Sequence, residues 1–88
     1  MNVTVVKRNG GIEDYDPEKI IRVVKAAGLN DEESQKLVSA VNTALEEKNR
    51  SQITSVQIRD IIIVEIQKIN KEIADKFIWY EKIRDKNV

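Results

Sequence analysis

Two adjacent cations, Lys7 and Arg8, stand just ahead of a glycine pair, Gly10-Gly11. Cations beside permissive backbone suit phosphate, because the side chains bring charge and the glycines allow close approach. Cations at the end of a short strand also guard a sheet edge against aggregation, which is the commoner role. Lys19 and Arg22 lie three apart and share one face of a helix, ordinarily a solvated one. Glu13 and Asp16 precede them, in reach of i,i+3 pairing, where a carboxylate can also accept the amino group of a base. Ser55 and Arg59 lie four apart at a helix start. A hydroxyl, free helix N–H groups and a guanidinium one turn on can hold an anion. The plainer alternative is an N-cap beside a surface arginine. Arg84 follows Trp79 and Tyr80, aromatics expected to pack in the core rather than to stack on a ligand.

The missing residue types are as informative. The chain has no His and no Cys. Disulfide frameworks, Cys/His zinc sites and His-based acid/base chemistry are therefore excluded. Neither G-x-x-x-x-G-K-[ST] nor G-x-G-x-x-G occurs, and no pair of carboxylates stands out, so an enzyme is not expected. Lys plus Arg is 15 and Asp plus Glu is 15, a net charge of zero. That lacks the basic excess of a general nucleic-acid binder but leaves room for a local basic site. No apolar run approaches the ~20 residues of a membrane span. The N-terminal stretch does not read as a signal peptide, since Lys7 and Arg8 follow its apolar residues. The expectation is a single cytoplasmic domain over residues 1–88. A core of that size is small, so a ligand would sit on the surface or between elements.

The elements that must position these residues follow from local pattern. Val3-Thr4-Val5-Val6 is β-branched and reads as a strand, with Val3, Val5 and Lys7 on one face. Asn9-Gly10 signals a hairpin, with Ile12–Tyr15 returning. Asp16-Pro17-Glu18 starts a helix carrying Ile20, Val23, Val24 and Ala27, and Gly28 stops it. Asn30 or Asp31 starts a second, with Leu37, Val38, Val41, Ala44 and Leu45 as its stripe. Gln52-Ile53 is a brief candidate strand. Thr54 or Ser55 caps a third helix bearing Ile58, Ile61, Ile62, Ile66 and Ile69. Asn70 marks a break, and Ile73, Phe77 and Tyr80 line a fourth helix. The fold class is α+β, mostly α, with a small sheet closing one end of a helix bundle.

The segment Val3-x-Val5-x-Lys7-Arg8-Asn9-Gly10, then Ile12-Glu13-x-Tyr15-Asp16-x-x-Lys19-Ile20, resembles the opening of the ATP-cone domain. That family opens on a V-x-K-R-[DN]-G strand and turn, then an F/Y-[DN]-x-x-K-I helix start. Ile53-Thr54-Ser55-x-x-Ile58 resembles its second helix-start motif, and Ala74-x-x-Phe77-Ile78-x-Tyr80 its closing helix. The resemblance covers nearly the whole chain in order. It implies a four-helix bundle capped by a three-stranded β-sheet. It also implies a regulatory domain that binds ATP or dATP with Mg²⁺ and controls an attached or partner protein, with oligomeric state as the output. Such cones stand at the N-terminus of ribonucleotide reductases and, behind a zinc ribbon, in repressors of reductase genes. With no zinc ribbon, and with the motif starting directly after Met1, the expected parent is a reductase large chain, the anaerobic class included. A free-standing cone is the alternative.

By the same resemblance Lys7 and Arg8 match the phosphate-contacting pair, and Val5 a residue beside the nucleotide. Glu13, Asp16, Lys19 and Ile20 match the adenine side. Ser55 matches the hydroxyl at phosphate or ribose, and Arg84 a basic phosphate ligand on the last helix. Two positions depart from the pattern. Arg59 stands where some reductase cones have His, and Glu81 where many have Arg. A carboxylate there repels phosphate unless Lys82 or Arg84 pairs with it. These departures keep a second class open: a degenerate cone that serves as a protein-interaction module without nucleotide. A nucleic-acid domain using Lys7, Arg8 and Lys19 is a third, and zero net charge weighs against it.

Overall fold

The computed structural model describes residues 3–49 and 51–86, with side chains as far as Lys82. Strand β1 (Thr4–Val6) runs down the middle of a three-stranded sheet. Strand β2 (Ile12–Asp14) pairs with it antiparallel, and β3 (Gln52–Thr54) pairs parallel on its other edge. Val5 thus lies opposite both Glu13 and Ile53. Alternation holds along β1 and the residue before it: Val3 and Val5 are buried, Thr4 and Val6 only partly. Beyond Val6 the chain turns. The Gly10 amide donates to the Lys7 carbonyl at 3.0 Å, and Gly10 sits at φ 85°. A turn followed by a left-handed glycine is a standard hairpin closure.

Helix α1 (Pro17–Ala27) begins as its sequence dictates. The Asp16 carboxylate accepts from the Glu18 amide at 3.0 Å, and Pro17 takes the first position, where no N–H is needed. Gly28 ends it at φ 125°, a conformation that costs other residues strain. Helix α2 (Asp31–Lys48) starts with a reciprocal box between Asn30 and Glu33. Helix α3 (Ser55–Ile69) starts with another, between Thr54 and Gln57. The run Ile61-Ile62-Ile63-Val64 is β-branched yet helical, because the capping box and the spacing Ile58, Ile62, Ile66 override strand propensity. Asn70 then serves two helices. Its amide closes α3 onto the Ile66 carbonyl at 2.8 Å, and its side chain accepts from Glu72 and Ile73 at the start of α4 (Lys71–Lys86).

The core joins sheet and helices: Val5, Ile53, Val24, Leu37, Val41, Ile66, Ala74 and Phe77 are all buried. Each large apolar side chain so buried contributes about 1.5–3 kcal/mol before entropy is counted. The architecture is α+β and mostly α, four helices with a three-stranded sheet among the described residues. One expectation fails. Trp79 and Tyr80 are 66% and 52% exposed, not core. Ala74 and Phe77 set the buried stripe of α4, and Trp79, two residues past Phe77, falls about 200° around the helix. No described helix is long and apolar enough to cross a membrane.

Candidate functional site

A cleft of about 510 Å³ opens where the hairpin meets the first turns of α1 and α3, with Phe77 and Glu81 of α4 completing its lining. Its rim is charged. Lys7, Arg8, Lys19 and Arg59 supply cations, and Glu13, Asp14, Asp16 and Glu81 supply carboxylates. Its floor is apolar, with Val5, Ile20, Val23, Val24, Ile58, Ile62 and Phe77. An apolar floor under a few convergent polar groups is the usual build of a small-molecule site. Strand alternation alone puts Lys7 and Arg8 on opposite faces. Both reach the cleft because β1 ends at Val6 and the turn begins.

Glu13 organises the rim. Its Oε2 lies 3.2 Å from Lys7 Nζ and 3.2 Å from Lys19 Nζ, so one oxygen accepts from two ammonium groups. Desolvation pushes its carboxyl up, but the hydrogen bonds and charges of Lys7 and Lys19 outweigh this. Its pKa falls below the ordinary glutamate value. Tyr15 lines the cleft next to Asp16 and donates its hydroxyl to Asn42 Oδ1 of α2 at 2.6 Å. Burial, with the nearby Asp16 charge, pushes its phenol up to about 12. The ring is therefore neutral and anchored across the bundle.

The start of α3 is the second feature. Thr54, not Ser55, caps the helix, so the Ser55 hydroxyl is not spent on capping. Ser55 and Val56 both line the cleft at the positive end of the helix. Thr54 satisfies the Gln57 amide, and a helix start has further amides to offer an anion. Arg59 follows one turn along and also lines the cleft. Arg8, Arg59 and Glu81 each have a partner within the chain. Among the described residues no group of three or more Asp or Glu is placed to hold a metal ion.

Of the residues singled out from sequence, the cleft brings together Val5, Lys7, Arg8, Glu13, Asp16, Lys19, Ile20, Ser55 and Arg59. Arg84 lies outside the described side chains. Asp16 divides its work, since one carboxylate oxygen caps α1. Sequence reasoning missed Asn9, Asp14, Val56 and the floor residues Val23, Ile62 and Phe77. Val56 was findable, as the next residue in the first turn after Ser55. The floor was not, because an apolar residue under a ligand and one in a core look alike.

Fold and cleft together define a small α+β domain with a charged-rimmed cleft over an apolar floor. Residues 3–86 match the family model of the ATP cone domain. The chain is 31% identical over 70 residues to the transcriptional repressor NrdR of Synechococcus sp. (strain RCC307), covering 75% of this chain and 44% of that protein. It is 31% identical over 72 residues to NrdR of Rhodopseudomonas palustris (strain BisB18), covering 77% of this chain and 45% of that protein. The chain belongs to the ATP-cone family, whose role is regulatory and nucleotide-binding. It spans less than half the length of these relatives, which are repressors and not reductases.

Proposed function

We propose that the domain senses adenine nucleotide: ATP or dATP lies in the cleft and biases an attached or partner protein in the cytoplasm. The observation that carries this reading is the convergence of β1, β2, α1 and α3 on one cleft with cations, an open helix start and an apolar floor. Lys7, Arg8 and Arg59 face the phosphates, and the sequence resemblance adds Arg84 as a further phosphate ligand. Ser55 serves phosphate or ribose. Glu13, Asp16 and Lys19 address the adenine edge over Ile20, with Val5 beside. Mg²⁺ comes bound to the phosphates, since it keeps several waters and favours phosphate oxygens over all-protein cages.

The rim carries as many carboxylates as cations among the described residues. A triphosphate with about four negative charges therefore gains only if those carboxylates turn to other partners. Glu13 has one ready: turned from Lys7 toward the base, it accepts the adenine amino group while Lys7 moves to phosphate. Binding becomes an exchange of partners within the cleft. Regulation then requires that ATP and dATP differ in affinity for two states of a larger assembly. Self-association is the proposed output.

The parent proposed from the sequence resemblance is a ribonucleotide reductase. The repressor relatives favour a second parent, a transcriptional repressor carrying the same switch. In either, this domain, with zero net charge, contacts nucleotide and protein rather than nucleic acid. The test is calorimetric titration with ATP, dATP and GTP, each with Mg²⁺. Binding of both adenine nucleotides, with GTP much weaker, is expected. No binding of either adenine nucleotide overturns the reading in favour of an interaction module.

A further inference from the structure

Behind the cleft, across the α1–α4 contact, lies a second cavity of about 490 Å³. It is a groove between two helices. Ala26 and Ala27 of α1 line one side, and Trp79 and Tyr80 of α4 the other. Its charged lining residues are Arg22 and Lys76, both exposed. We propose that this groove docks an apolar helix flanked by carboxylates, contributed by a different protein.

The lining supplies the first argument. Exposed Trp, Tyr and Arg are the side chains that most often anchor a protein interface. Small alanines opposite them let a partner backbone come close, as in helix-in-groove recognition. Charge supplies the second. Both charges on the groove are positive, and no carboxylate lines it among the described residues. Lys25, one turn further along α1, is held by Asp31. An acidic flank therefore complements the groove and a basic one is repelled. The same charges select against a second copy. A two-fold contact through this face would bring its two cations up against the same two cations of the copy, with no carboxylate in the described lining to offset them. The inference is independent of what the cleft binds.

Trp79 is the chain's single tryptophan, so its emission reports directly on the groove. The probes are two synthetic helical peptides of about 18 residues, five turns long. They share one Leu/Phe stripe, flanked by Glu in one and by Lys in the other. Titrated into the full chain, the Glu-flanked peptide is expected to produce a saturable blue shift. The Lys-flanked peptide is expected to bind roughly ten-fold more weakly. The double variant Arg22→Glu/Lys76→Glu, with its fold checked by circular dichroism, is expected to reverse that preference. No saturable binding of the Glu-flanked peptide overturns the proposal, as does equal binding of both. A preference that survives the charge reversal overturns it too. Self-association of the wild-type chain that the double variant abolishes would assign the groove to a second copy instead.

Discussion

Lys7 and Lys19, one at the end of a strand and the other on a helix, reach the same oxygen: each ammonium lies 3.2 Å from Oε2 of Glu13. One carboxylate thus restrains two cations that would otherwise repel each other. It also ties the hairpin to α1 across the mouth of the cleft.

Replacing Glu13 with Gln should release both lysines. Inorganic tripolyphosphate, which has no base to read, should then bind several-fold tighter than to wild type. The preference for ATP over GTP should shrink, because the acceptor for the adenine amino group is weaker. Calorimetry with the three ligands checks both halves. Unchanged tripolyphosphate affinity would show that the carboxylate does not compete with phosphate.

The same contact gives stability a pH dependence. Glu13 titrates below its ordinary value of 4.5, so the folded chain holds this proton less tightly than the unfolded chain. The contribution is complete above the unfolded value and is lost as pH falls through the folded one. With both pairs exposed it amounts to less than about 1 kcal/mol. Melting curves of wild type and Glu13→Gln should differ slightly at neutral pH and converge in acid, below the pKa of Glu13.

Lys7→Ala should weaken ATP binding at least several-fold, since charge-assisted contacts contribute roughly 1.5–3 kcal/mol before ordering costs. The lysine is exposed, so the melting temperature should barely move. Unchanged affinity by calorimetry removes Lys7 from the site.

Tyr15→Phe should cost about 1–2 kcal/mol in thermal unfolding. The change removes the 2.6 Å hydrogen bond and leaves the Asn42 carbonyl oxygen without its donor in a partly buried place. Asn42→Ala should recover part of this loss when combined with Tyr15→Phe, because no orphaned acceptor remains.

Gly28→Ala should destabilise by about 1 kcal/mol or more. The glycine sits at φ 125°, where a side chain strains the backbone, while an added Cβ would make only an ordinary contact with Ile73 Cδ1 at 3.4 Å. The loss, read by thermal unfolding, should therefore reflect backbone strain rather than crowding.

Much of the fold was legible because capping is local chemistry. Asp16-Pro17, Asn30 with Glu33, and Thr54 with Gln57 each announce a helix start within four residues. Gln52–Thr54 was harder, since three residues hold little pattern and their place beside β1 comes from a long-range parallel pairing. Trp79 and Tyr80 misled because aromatic size suggests burial, whereas Ala74 and Phe77 decide which face of α4 turns inward. At the cleft, the charged groups apart from Asp14 were marked by residue type and by the family resemblance. Val23, Ile62 and Phe77 were not, because their role depends on what lies above them.

The central place of β1 bears on when the cleft comes into being. Its β2 edge closes through a turn of a few residues, but its β3 edge waits for a segment that begins at Gln52. Such distant pairings form slowly because a long loop must close first. A chain emerging from the ribosome as far as α2 would already carry Lys7, Arg8, Glu13 and Lys19. It would still lack the α3 start that offers Ser55 and the α4 wall that holds Phe77. The cleft is therefore complete only once α3 and α4 have packed against β1, however early its charged residues appear.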